Sequence, residues 1–249
     1  MLSTKDDPKD CLQCGFLDYY DIWVEIDPRL EKYSDLRHAA GAFGHDIVHL
    51  ATYVYDILNW LKPKRIQNSM CVMYVGAMTE AALVSIRSAY DAVAMGLAQV
   101  ATAKRGQAPT TLAELVNWAR KNPSRIDPKV RELLAQEHEA FWFARRYRDY
   151  VVHRGADIVI HTDRHQFNLN LRAEDEWLVQ EPLIPMLARH IKHLIEFANE
   201  AATIVNAAIS LPPDRVGSRI VNGRLIHALH QLQEVQHDYA RPWPRLQSG

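Results

Sequence analysis

Only three cysteines occur in 249 residues, Cys11, Cys14 and Cys71. Three thiols cannot build a disulfide framework, and their scarcity fits a reducing compartment. An excess of charge of one sign is missing too: 29 basic against 30 acidic residues leave a formal charge of -1. That balance excludes a generally basic nucleic-acid coat, so any contact with a polyanion has to come from a local patch. Long hydrophobic runs are also absent. The longest, around "MCVMYVGAM", is cut by "TE" well short of a bilayer span, and the opening "MLSTKDDPKD" holds no apolar core. These absences lead to the expectation of a cytoplasmic protein with no membrane partner. No glycine-rich phosphate loop, internal repeat or low-complexity tract is found.

What is present is the profile of a globular chain, 48% apolar and 24% charged. Residues 1–27 mix aromatics and acids without helical period and read as an arm. "DPRLEKY" then offers Asp27 as N-cap with Pro28 at the first helical position. Leu36, Phe43, Ile47, Leu50, Val54, Leu58 and Leu61 recur at spacings of three and four, which predicts a long amphipathic helix to about Trp60. A second long helix, roughly 68–104, is apolar on most sides. Thr111 and Glu114 form a capping-box pattern for a short helix to about Lys121. Asp127 and Pro128 repeat the start signal, and the helix that follows is expected to run unbroken to Gly155.

The period changes after Gly155: "ADIVIH" and "QFNLNL" around "TDR" predict a β-hairpin at about 156–173. Helix returns from about Pro182 to Ser210, and a weaker one lies near 224–238. The expected fold is mainly α, an antiparallel helical bundle over 28–210 with the small hairpin inserted, followed by a C-terminal helix and tail over 211–249.

The end of the helix from Asp127 reads "RRYRDYVVHRG", four arginines and a histidine with one acid. Taking Val130 as zero on a wheel of about 100° per residue, Leu134, Phe141, Ala144 and Arg148 fall within about 40° of it. Arg148 is thus expected on or beside the apolar stripe, where a cation needs an anionic partner. Asp149 and His153 are four apart and share another face with Trp142 and Arg146, so the carboxylate can steer the imidazole. His153 also stands in the last turn, where the helix end favours its protonated form. An arginine binds phosphate oxygens and a histidine titrating near neutrality moves a proton, which are the parts for metal-free phosphodiester chemistry. One chain supplies one such histidine, and on an ideal helix it points about 140° away from Arg148. A complete site is easier to build where two copies meet.

The pattern Arg148-Asp149-x3-His153 at a helix end resembles the R-x4-6-H signature of the HEPN superfamily (higher eukaryotes and prokaryotes nucleotide-binding), including the polar residue after the arginine. The resemblance implies a helical bundle that dimerises with two motifs facing each other. It further implies a metal-independent endoribonuclease that leaves 2′,3′-cyclic phosphate ends, acting as a toxin or antiviral effector restrained by an antitoxin or neighbouring regulatory protein. By carry-over, Arg148 stabilises the phosphate, His153 is the acid/base and Asp149 orients it. Some toxin members continue as H-x-Y; here Arg154 and Gly155 follow His153, which does not support that form of control.

Around the motif, Arg145, Arg146 and Arg154, with Arg164 and His165 and also His161 near the hairpin tip, are candidates for binding RNA. Glu80, Arg87 and Asp91 lie within about 20° of one line on the apolar second helix. They read as an internal network, with Arg87 and Asp91 as an i,i+4 pair, or as support for Arg148.

Two other readings stand beside this one: a non-catalytic module that binds a nucleotide, RNA or a protein, and a metal-dependent bundle enzyme. For the latter, His38, His45 and His49 share a line with Glu31 and Asp56, but that line is opposite the apolar stripe, whereas bundle metal sites project inward. His190 with His193 and His227 with His230 are further i,i+3 pairs, "EVQH" at Glu234–His237 is a single E-x-x-H, and "CLQCG" has half of a zinc site. No metal and no cofactor is expected.

Overall fold

A computed structural model of the chain describes residues 34–60, 69–101, 109–136, 139–154, 158–163, 166–173, 176–209 and 223–239. Among these residues the protein is mainly helical, a bundle. The helices are α1 (Ser34–Trp60), α2 (Ser69–Ala101), α3 (Leu112–Lys121), α4 (Pro128–Ala135), α5 (Glu139–Arg154), α6 (Leu183–Ile209) and α7 (Gly223–Tyr239). The N-terminal arm, including Glu31, Cys11 and Cys14, lies outside the described residues, as do the expected helix start at Asp27 and the tail.

The bundle is centred on α2 and α6, which pack on each other; α1 lies against α2, and α7 against α1 and α6. Buried side chains of α1 recur as Leu36, Phe43, Ile47, Leu50, Val54 and Ile57, the spacing of one helix face turned to the core. On α6 burial covers both sides of that face, from Leu183 and Leu187 to Leu194, Phe197 and Ala201. Helix α2 is long and apolar enough to cross a bilayer, alone in this among the described residues. It is nevertheless the helix that α1, α3, α5 and α6 all pack against.

Local signals start the short helices. The Thr111 hydroxyl accepts the Glu114 N–H at 3.2 Å, and the Glu114 carboxylate reaches back to the Thr110 N–H at 3.1 Å, one residue beyond the reciprocal box. The Asp127 carboxylate accepts from the Lys129 N–H at 2.8 Å, with Pro128 at the first position, where no N–H is wanted.

The helix from Asp127 is not continuous. It ends at Ala135, and Gln136 turns extended, with φ -63° and ψ 149°. A new helix begins at Glu139, so the wheel drawn through Val130 and Arg148 spans a break and its common phase has no structural meaning. The break lets α4 pack on α3 and α6 while α5 packs on α2 and α6. A three-ring cluster fixes α5 there: Tyr90 of α2 lies 5.6 Å from Phe141 of α5 and 5.2 Å from Phe197 of α6, centroid to centroid.

After α5 the chain forms β1 (Ile158–Asp163), β2 (Gln166–Ala173) and β3 (Glu176–Pro182), an antiparallel sheet in the order β1-β2-β3. Asp163 pairs with Gln166 at the first turn, and a register shift falls between Leu171 and Arg172. Two strands were expected and three are present. The third, "EWLVQEP", is one short run flanked by acids, and it leads directly into α6. The sheet touches α2 through β1 and α6 through β2 and β3.

Candidate nucleic-acid interface on helix α5

Helix α5 brings the motif positions onto one rigid element between the two central helices. Residues 148, 153 and 154 are helical, but the side chains of Arg148, His153 and Arg154 lie outside the described residues, as do Arg164 and His165 altogether. What the structure describes is their setting, and it has an inner and an outer half.

The inner half is set by Phe141, Ala144 and Tyr147, all buried at spacings of three. Tyr147 immediately precedes Arg148, is 1% exposed, and its hydroxyl has no hydrogen-bond partner among the described residues. Burial pushes its phenol well above the ordinary range, and the negative charge of Glu181 adds to the shift. Glu181, at the end of β3 and 6% exposed, pairs with Arg189 of α6 at 3.1 Å. Burial raises the Glu181 carboxyl more than the guanidinium lowers it. Next to Arg189, His190 stacks on Phe143 of α5 and is fully enclosed, with neither ring nitrogen partnered among the described residues. Burial, aided by the charges of Arg189 and His193, lowers its pKa to about 3, so at neutral pH the ring is uncharged.

The outer half carries the charges. Arg145 Nε stands 3.7 Å from Asp149 Oδ2 one turn on, both about two-fifths exposed at 36% and 43%. The Arg145 guanidinium also lies over the indole of Trp142, 5.5 Å from the ring centroid. Trp142 is 40% exposed and Arg146 is exposed beside it.

Asp91 of α2 connects this half to the core. Its carboxylate accepts the Leu112 N–H at 2.9 Å, holding the first turn of α3, and stands 3.8 Å from Arg87 Nε. Burial raises its pKa; the Leu112 N–H, Arg87 and then Arg145 oppose the rise, while Glu114 adds to it. Arg87 and Asp91 are thus an internal pair that the charge of Arg145 reaches from α5. Glu80, half-buried, lies about 16 Å from Asp91 along the helix axis, at the far end of the expected line. Sequence reasoning placed Trp142 on the line of Arg146 and Asp149 without giving it a role, and it missed Tyr147, Glu181 and Arg189 altogether.

The histidines weighed for metal binding do not converge with carboxylates into a metal-binding group among the described residues. His38 and His45 are exposed; His45 stacks with His49 at 4.0 Å, and their charges act on Asp46. Burial is the larger influence on that carboxyl and raises it. Asp56 instead accepts from the Tyr74 hydroxyl at 3.4 Å. His193 is turned out to Glu196 at 3.4 Å while His190 is buried, so that pair does not converge. Among the described residues no three His, Cys, Asp or Glu side chains stand together as a metal would require.

No family model, no curated protein and no solved structure matches this chain.

Proposed function

We propose that the chain is a metal-independent endoribonuclease of the HEPN type, acting in the cytoplasm as a homodimer with a composite site. The observation that carries the reading is the placement of Arg148, Asp149 and His153 in the last two turns of one helix, α5, that is anchored on both central helices. Arg148 and His153 stand five positions apart, about 7.5 Å along the axis, a span that suits one phosphate between a cation and an acid/base. The C-terminal end of the helix favours the imidazolium. A helical bundle with a small sheet following α5 accords with this reading.

In the proposed reaction, His153 of one copy takes the proton of the RNA 2′-hydroxyl as O2′ bonds to the adjacent phosphorus. The bond from phosphorus to O5′ breaks, and the partner copy's histidine at the same position gives the departing oxygen its proton. The products are a 2′,3′-cyclic phosphate and a 5′-hydroxyl end, and Arg148 balances the charge that gathers on the phosphoryl oxygens. Restraint by an antitoxin or a neighbouring protein accords with the exposure of the site's outer half.

A second reading, a non-catalytic module that binds RNA, a nucleotide or a protein, is favoured by one observation: Asp149 already pairs with Arg145. The deciding experiment is cleavage of mixed RNA in EDTA by the wild type and by His153→Ala, with a 2′-deoxy substrate as control. Cyclic-phosphate ends from the wild type alone are expected. Equal inertness of both proteins at high concentration rejects the nuclease in favour of the binding module.

A further inference from the structure

We propose that the solvent face of α5 ahead of the motif is a binding site for single-stranded RNA, with Trp142 as the platform for one base and Arg146 as a phosphate contact. The inference rests on the ribonuclease reading for its ligand class, but its test does not depend on cleavage.

Phe141 and Tyr147 on the same helix are buried, at 0% and 1%, whereas Trp142 keeps 40% of its surface in water. A large indole left in solvent forgoes burial that elsewhere on this helix is taken up fully. Its orientation is nonetheless fixed. The Phe141 ring meets it at 4.9 Å and 71°, and the Arg145 guanidinium lies over it at 5.5 Å. Arg145 is in turn held by Asp149. An exposed aromatic braced by a planar cation is what stacking of an unpaired base requires, since every base has a π-face and stacks on indole and guanidinium alike.

Charge complementarity selects nucleic acid as the occupant. Of the charged side chains described on α5, Arg145 is matched by Asp149, and Arg146 adds an exposed cation beside Trp142. Arg146, four residues after Trp142 and about 40° round the helix, is exposed on that side. Position 148 lies about 9 Å and position 153 about 16 Å along the axis from Trp142. At about 3.4 Å per stacked nucleotide, a base on Trp142 stands some three to five nucleotides from the motif. Single strands are favoured because an A-form duplex keeps its bases stacked away from such a platform.

The test uses the full chain carrying His153→Ala and fluorescein-labelled 2′-O-methyl oligonucleotides, which cannot be cleaved, read by fluorescence anisotropy with dimer content followed by light scattering. Adding Trp142→Ala is expected to weaken binding of an eight-nucleotide strand by about 5- to 150-fold. Trp142→Phe should restore most of it, and Arg146→Ala should lower the salt slope by about one. A two-nucleotide strand should show no dependence on Trp142. Unchanged affinity in Trp142→Ala overturns the proposal. Loss of the dimer in that variant, with affinity for RNA kept, also overturns it and assigns the face to a second copy. If the wild type cleaves nothing but binding depends on Trp142, the nuclease reading fails and this site stands. If the wild type cleaves and Trp142→Ala binds normally, the reverse holds.

Discussion

The imidazole of His190 stacks on Phe143 with centroids 4.6 Å apart and planes 22° apart, tying α6 to the helix that carries the motif. The ring is neutral when folded, with a pKa lowered to about 3 first by burial and then by Arg189 and His193. In the unfolded chain a histidine titrates near about 6.5. Between those values the unfolded state binds more protons, so this contribution to stability is full above pH 6.5 and is lost as pH falls towards 3. The slope approaches about 1.4 kcal/mol per pH unit. Urea denaturation of the wild type and His190→Phe at pH 7, 6, 5 and 4 should show the wild type losing ground to the variant as pH falls. The raised carboxyls of Asp46, Asp91 and Glu181 act with the opposite sign, but both proteins carry them. A difference that does not change with pH would show that His190 is not buried as a neutral ring.

Tyr147 gives a cleaner prediction, because its hydroxyl is buried without a partner. Replacing such a group by an apolar isostere relieves a desolvation penalty. Tyr147→Phe should therefore leave stability equal or raise it by up to about 1 kcal/mol. Tyr147→Ala, which empties a core site between α5 and its neighbours, should cost about 3–5 kcal/mol. Thermal denaturation of both variants checks the pair; a marked loss in Tyr147→Phe would mean that the hydroxyl is bonded.

Much of this frame was legible in the sequence. The apolar spacing of α1, the Thr111 and Asp127 caps and the long apolar α2 follow from local chemistry that tertiary packing did not override. The break at Gln136 was not legible, because "AQEHEA" holds neither glycine nor proline and the apolar phase happens to resume across it. The third strand was missed since its seven residues carry a single weak alternation, and strand pairing with β2 is a non-local fact. The polar cluster of Tyr147, Glu181, Arg189 and His190 joins residues up to 43 positions apart on three elements, and no spacing rule reaches that far. For the candidate site, Arg145 was read as a candidate for RNA contact, and its pairing with Asp149 and Trp142 follows from i,i+4 and i,i+3 geometry that was available but not used.

The ion pair of Glu181 and Arg189 is 6% and 17% exposed, and the charge of Glu181 reaches the Tyr147 phenol. Removing Arg189 would leave the buried Glu181 carboxylate without this partner, and removing Glu181 takes from Arg189 the carboxylate at 3.1 Å. Arg189→Ala, which strands the more deeply buried Glu181, should cost about 3–5 kcal/mol, while Glu181→Leu combined with Arg189→Met should recover most of that loss. A double-mutant cycle by chemical denaturation measures the coupling. A double variant as unstable as Arg189→Ala would show that the pair holds the sheet to α6 through more than its charges.

Asp91 should be the residue through which α2 controls both α3 and the setting of Arg145. Its carboxylate accepts the Leu112 N–H at 2.9 Å and faces Arg87, whose Nε is otherwise buried without a hydrogen bond. Asp91→Asn keeps an acceptor for Leu112 but no charge for the arginines. Asp91→Ala removes both, so it should lose the cap, about 1 kcal/mol, together with the further cost of an uncompensated Arg87. The two variants separate the roles: amide exchange at Leu112 and in the first turn of α3 should quicken far more in Asp91→Ala than in Asp91→Asn. The wild type should also gain stability relative to Asp91→Asn as pH falls through the raised pKa of Asp91, because there the folded carboxyl takes up its proton before the unfolded one. Equal exchange in both variants would mean that the charge of Asp91, and not its hydrogen bond, holds α3 in place.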